Sequence, residues 1–266
     1  MTKEDKYKEI LIDPIRECAG YMPKFGHRRD GGFTLSEFQT LYGNDVFYKW
    51  LGLDSPLMYS AHKAAGGITS VYRQIGIGCE RLVREIFMDN LGLTEDGVKW
   101  SYQIDGANGK KRTLSLDGRI IVDDITDDSA KERVKEWKDN VCNQLELPDR
   151  VREAMTGIVF EVRQGYKSKD SKRQNADIAN ASNAYANGYI PCLMVMSSQI
   201  DDDIVTRYNQ AKWVILRGFL GTSTYTSTYD FYKDVVGYDF ADFMRKNQEY
   251  FQIEIHKILD ELMKAR

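Results

Sequence analysis

Apolar and polar positions follow two periods along this chain. Short, largely apolar runs at 157–162 (GIVFEV), 190–198 (IPCLMVMSS) and 213–218 (WVILRG) predict strands buried on both faces. Between Ser70 and Leu93, Ile75, Cys79, Leu82, Val83, Ile86 and Phe87 recur at spacings of three and four, the face of an amphipathic helix that Gly92 stops. A second helix is predicted over 129–147, with Val134, Trp137, Val141 and Leu145 inward, and an Ala/Asn-rich third over 172–189. The runs 98–104 (VKWSYQI) and 112–122 (RTLSLDGRIIV) read as strands around the hairpin signal Asn108-Gly109. A last amphipathic helix, 240–263, caps the fold or supplies a dimer seam. Strands alternating with helices predict an α/β fold with a mixed, partly parallel central sheet between helices, preceded by an extra N-terminal helical segment.

Composition narrows the picture only a little. The 266 residues make one large domain or a domain with an appendage, divided near residues 69 and 70, and a hydrophobic share of 42% is enough for a core. A net charge of −3 excludes a protein that coats nucleic acid by bulk charge, so any such affinity must be local. The four cysteines lie far apart with no C-x-x-C pair and are expected as reduced core thiols. The N-terminus is charged, and no apolar run approaches the ~20 residues of a membrane span. The expected location is therefore cytoplasmic. With only His27, His62 and His256, and no H-E-x-x-H, G-x-S-x-G or Walker-type loop, histidine-based metal sites and acyl-transfer triads are disfavoured.

Two segments carry the candidate chemistry. Asp117-Gly118 interrupts one strand, which puts Asp117 at an exposed bend or bulge. Glu161 sits at the end of GIVFEV, where the chain turns from apolar to basic through Arg163, Gln164, Lys167 and Lys169. Two carboxylates at strand ends, with the backbone carbonyl of Val162 as a third oxygen, suit Mg²⁺, with Mn²⁺ as a substitute. Residue 163 projects on the same face as Glu161, where a cation meets a phosphate. Glu80, beside the apolar face of the first predicted helix, is a further acidic candidate for the metal site. Lys172, Arg173, Gln174 and Asn175 extend the donor cluster at a helix start, where cations oppose the dipole unless an anion lies there. Gln and Asn also match adenine edges, and Arg matches guanine. Arg28 and Arg29, in a Gly-framed loop, and Thr222, Ser223 and Thr224, in a hydroxyl-rich loop, complete the candidate DNA contacts.

The lone Asp at a strand bend, followed by an apolar strand ending Glu161-Val162-Arg163 and then by helix and strand, resembles the PD-(D/E)xK nuclease superfamily and within it the type II restriction endonucleases. The resemblance covers about residues 70–220. It implies a three-layer α/β/α sandwich, Mg²⁺-dependent cleavage of double-stranded DNA to 5′-phosphate and 3′-hydroxyl ends, and a homodimer acting on a palindrome. Asp117 and Glu161 match the two acidic residues of the motif, and Glu80 matches an accessory one. The chain departs from the pattern at Leu116, where Pro is usual, and at Arg163, where Lys is usual. Arginine binds phosphate bidentately but does not release a proton. A repair or recombination nuclease of the same core, and a DNA-binding protein without cleavage, are the other readings left open by that departure.

Overall fold

The computed structural model describes residues 1–26, 30–105, 110–165 and 171–264. In chain order these form α1 (Lys3–Arg16), α2 (Leu35–Gly43), α3 (Val46–Trp50), α4 (Pro56–Leu91), β1 (Trp100–Asp105), β2 (Lys111–Leu116) and β3 (Gly118–Ile121). Then follow α5 (Asp128–Gln144), α6 (Asp149–Ala154), β4 (Gly157–Arg163), α7 (Ser171–Ala186), β5 (Tyr189–Val195), α8 (Asp202–Gln210) and β6 (Val214–Leu216). The chain ends with α9 (Thr228–Asp230), a π-helical turn (Phe231–Val236), α10 (Phe240–Lys246) and α11 (Gln248–Met263). Two compact units divide the chain: residues 1–78 with 246–266, and residues 79–245.

The second unit holds the sheets. Four strands run in the order β3-β4-β5-β6, with β3 antiparallel to β4 and the other two pairs parallel. The parallel pairs are made by the largely apolar runs, and every residue of β4 from Gly157 to Val162 is buried. This is the pattern of a strand covered on both sides. Phe160 meets Phe87 of α4 and Phe231 on one face. Val159, on the opposite face, joins a core with Leu193, Ala181, Ala184, Ile204, Tyr208 and Trp213, so α7 and α8 pack there. The expected α/β class is thus present, with a mixed sheet.

Three expectations are corrected. The run 112–122 is not one strand. It breaks at Asp117 into β2, which pairs only with β1, and β3, which joins the four-stranded sheet. The helix expected from Ser70 begins at Pro56, where Ser55 Oγ accepts from the Met58 N–H at 3.3 Å and Pro56 supplies the favoured first residue. Two of its glycines are places of close approach. A Cβ on Gly66 would lie 2.0 Å from the Tyr21 hydroxyl, and one on Gly78 would lie 2.5 Å from the Leu11 carbonyl oxygen. The stretch 240–263 is two helices, α10 and α11, divided at Asn247. In the first unit, α11 packs against α1.

Candidate active site

The switch between sheets builds the site. Gly118 pairs with Phe160 in the β3–β4 ladder, yet the Asp117 N–H also donates to the Phe160 carbonyl at 2.8 Å. Two residues of one strand therefore face one of the other, which is a β-bulge. The bulge turns the Asp117 carboxylate across the strand end, where its Oδ2 accepts from the Val162 N–H at 2.8 Å. From the other direction, Arg84 of α4 donates to the Asp117 carbonyl at 2.8 Å. Asp117 is accordingly half-buried rather than exposed. Burial pushes its carboxyl above the usual range, while the Val162 N–H and the nearby Arg163 and Arg84 charges pull it back.

Glu161 and Arg163 leave β4 on the face covered by α7 and α8. The Arg163 guanidinium bridges two carboxylates, with Nη2 paired to Glu161 Oε1 and lying 3.3 Å from Asp177 Oδ2. All three side chains are largely withdrawn from solvent. The same Asp177 oxygen accepts from the Tyr208 hydroxyl of α8 at 2.5 Å. The result is a buried chain of partners, Glu161–Arg163–Asp177–Tyr208, beside Asp117. An ion pair this deep keeps its geometry because each charge has a partner, and removing one takes that partner from the others.

Asp177 and Tyr208 were not among the residues picked out from the sequence, and neither was Arg84. Asp177 did carry a signal: it precedes Ala181 and Ala184 by four and seven residues, so it lies on the apolar face of α7. An acid on such a face must meet a buried cation. Nearby, the Tyr102 hydroxyl of β1 bonds Asn180 of the same helix face.

The structure brings together Asp117, Glu161, Val162 and Arg163 from the expected set. Glu80 is half-buried on α4, one turn before Arg84 and on the same helix face. Gln164 follows β4, and its carbonyl accepts from the Ser197 N–H. Asn175 Oδ1 accepts from Arg207 at 2.9 Å, on an exposed part of α7. Lys172, Arg173 and Gln174 fall in the first turn of α7, and their side chains lie outside those described; Lys167, Lys169, Arg28 and Arg29 lie outside the described residues. The loop with Thr222, Ser223 and Thr224 is organised by its own bonds. Asp230 accepts from the N–H groups of Gly221 and Thr222, Ser223 Oγ accepts from the Tyr225 N–H, and the Thr224 carbonyl accepts from Trp137. A cavity of about 490 Å³ among α5, α8 and β6, lined by Trp213, Arg217 and Phe219, contains neither carboxylate.

Among the described residues no group of three or more His, Cys, Asp or Glu side chains is placed to hold a metal. Mg²⁺ does not need one, since it is commonly held by one or two carboxylates, with waters and substrate phosphates completing its shell. The residues present fit that mode. Asp117 Oδ1, the Glu161 carboxylate and the Val162 carbonyl are hard oxygens; the carbonyl points to the same side of β4 as the N–H that reaches Asp117. No helix of the described residues is long and apolar enough to cross a membrane. Comparison with known proteins gives no match to a family model, to a curated protein or to a solved structure.

Proposed function

We propose that this chain is a Mg²⁺-dependent, sequence-specific endonuclease of double-stranded DNA, with the restriction-endonuclease sandwich as its fold. The observation that carries the reading is the bulge that sets Asp117 across the strand end from Glu161, next to the Arg163 guanidinium. Asp117, Glu161 and the Val162 carbonyl would hold the metal. When bound, it supplies neutralisation of the phosphate charge and a water acidified toward attack.

The protein's own groups do the rest. Asp117 is fixed by the Val162 N–H, so its second oxygen is already oriented and loses little freedom on binding. Glu161 sits near the end of a strand buried from Gly157 to Val162, which excludes water from one side of the site. Arg163 supplies a permanent charge and a planar fork that matches two phosphate oxygens. It does not act as a proton carrier, so water activation falls to the carboxylates. Because Arg163 is held by Glu161 and Asp177, a phosphate must compete with both. Two copies of the chain would cut the two strands of a palindrome.

The same ion pair favours a second reading, a DNA-binding protein that does not cut. An arginine seated on Glu161 already neutralises the carboxylate that a metal needs. Plasmid or phage DNA incubated with Mg²⁺ and with EDTA separates the two. Discrete Mg²⁺-dependent bands that vanish in Asp117→Ala and Glu161→Ala establish the nuclease. Retarded but intact DNA in Mg²⁺ and in Mn²⁺, with cutting gained in Arg163→Lys, establishes the binding protein. Cutting that persists in both alanine variants removes the site.

A further inference from the structure

We propose that the cavity beside β6 binds one nucleotide, with the base edge on the strand and the phosphate on Arg217. The cavity holds about 490 Å³ between α5, α8, β6 and the loop after β6, all within the unit of residues 79–245. That volume is in the range of small-molecule sites. β6 is the edge strand of the four-stranded sheet, and two bonds fix which way its backbone faces. The Gly218 N–H donates to the Ser197 carbonyl on the β5 side, and the Arg217 N–H donates to the Thr226 carbonyl on the outer side. Backbone groups alternate sides along a strand, so Ile215, two residues before Arg217, also turns its N–H and C=O outward. On that edge the Arg217 carbonyl accepts from the Thr228 N–H, and the Trp213 N–H donates to the Tyr208 carbonyl. The Ile215 pair has no partner among the described residues.

One open residue is too short an edge for an added peptide strand, which needs several. It matches a single nucleobase, whose edge also sets a donor beside an acceptor. Two further donors belong to residues that line the cavity and have no partner among the described residues: Trp213 Nε1, on a side chain only 1% exposed, and Arg217 Nε. A buried donor left unpaired costs about 1–3 kcal/mol, which a ligand rich in acceptors recovers. Trp213, Phe219 and Tyr225 supply apolar ring surface for a flat base. Tyr225 is held parallel to Trp137, whose Nε1 donates to the Thr224 carbonyl at 2.8 Å. That wall is therefore ordered before a ligand arrives.

Charge selects an anionic tail. Arg217 is the one charged side chain among the described residues that line the cavity. Its guanidinium rests 4.9 Å from the centre of the Phe219 ring. Its ion pair with Asp202 is 3.9 Å long, and the Asp202 side chain is 94% exposed, so a phosphate displaces it at small cost. Nearby in sequence, Lys212 donates to the Leu145 carbonyl at 2.9 Å and Arg207 to Asn175 at 2.9 Å. Ile215 and Arg217 lie roughly 7 Å apart along the edge, and the arginine side chain lengthens that reach, which suits a base and its own phosphate. The same chemistry has two sources: a free nucleoside monophosphate, or a nucleotide turned out of a DNA strand.

The inference does not rest on the nuclease reading, and the test keeps them apart. Isothermal titration of the full chain, in EDTA so that no metal-dependent site contributes, compares adenosine 5′-monophosphate with adenosine. The monophosphate should bind about 10-fold tighter or more, the worth of a charge-assisted hydrogen bond. Arg217→Gln should bring the two compounds to equal affinity, while Arg217→Lys, which keeps the charge, should keep a preference for the monophosphate. Trp213→Phe should weaken both by roughly 2–12-fold, the range for one lost hydrogen bond. A labelled single-stranded oligonucleotide then separates the sources. Its displacement by the monophosphate identifies a nucleotide of the strand as the occupant, and simultaneous binding of both identifies the free nucleotide. No heat with either compound at millimolar concentration, equal affinities in the parent, or a preference that survives Arg217→Gln overturns the proposal. DNA cleavage is read separately, so a chain that cuts but binds no nucleotide loses this site and keeps the nuclease.

Discussion

Arg163→Met tests whether the buried charges beside Asp117 act as one balanced unit. The substitution keeps most of the volume and removes the cation. Glu161 and Asp177, with side-chain exposures of only 8% and 6%, would then lose the cation they share. Breaking a buried pair by removing one partner costs about 3–5 kcal/mol. In a chain of this size 1 kcal/mol moves the midpoint by about 2–4 °C, so the expected loss is roughly 6–20 °C. The triple variant Arg163→Met, Glu161→Gln, Asp177→Asn removes all three charges and leaves an amide oxygen for the Tyr208 hydroxyl. It should recover to within about 2 kcal/mol of the parent, since a neutral, packed replacement of a buried ion network is close to neutral in stability. The assay is urea unfolding followed by tryptophan fluorescence. Trp100, Trp137 and Trp213 are buried in the unit that holds the site and report on it, whereas Trp50 is exposed in the other unit. An Arg163→Met loss below about 1 kcal/mol, or a triple variant no more stable than the single one, would refute the argument that charge balance holds this network together.

Three further outcomes follow from the same structure. Burial raises the Asp117 carboxyl above 3.8, so its protonated form favours folding; that contribution is complete below the unfolded value and is lost as pH rises through the folded one. Asp117→Asn should therefore be at least as stable as the parent at neutral pH and show a flatter stability curve above the acid range, and under the proposed function it should lose cleavage; a lower midpoint at neutral pH would contradict the stability argument. Gly76→Ala in α4 meets nothing within 4 Å and should gain about 0.5–1 kcal/mol, whereas Gly78→Ala presses on the Leu11 carbonyl and should lose stability, which paired thermal melts would check. All four cysteines are buried and free, with Cys79 pushed up to about 12 by burial; an aromatic disulfide reagent should label none in the native protein and four after denaturation.

The sequence carries the sheet well because its central strands are apolar on both faces for most of their length. Residues 157–160 and 190–195 hold no polar side chain that an exposed face would need; β4 ends one residue beyond the expected run, and β5 begins one residue before its run and ends three before the run does. The Asp-Gly step at 117–118 is legible as a bend for the same reason: glycine weakens a strand where the chain must turn. Whether the turn changes sheets depends on partners far along the chain, on β1 for one side and β4 for the other. The order of the hydroxyl-rich loop is likewise set at a distance: Asp230, several residues later, gathers the N–H groups of Gly221 and Thr222.

Asp177 shows where reading by motif stops. Its neighbours in sequence are Ala, Asn and Ile, and only its helical phase with Ala181 and Ala184 separates it from a solvated helix acid. Its role comes from the phase of α7 against β4, which turns the same face that carries Ala181 and Ala184 toward the strand end. A buried acid on that face requires a cation, and β4 offers one at Arg163, two residues from Glu161. Arg163 is therefore constrained twice, by the strand period that aligns it with Glu161 and by the helix period that brings it Asp177. A lysine, with a single ammonium in place of the planar fork, would serve the two carboxylates less well. Arg163 and Asp177 are thus explained together: the arginine suits a strand end that has a second buried carboxylate to satisfy.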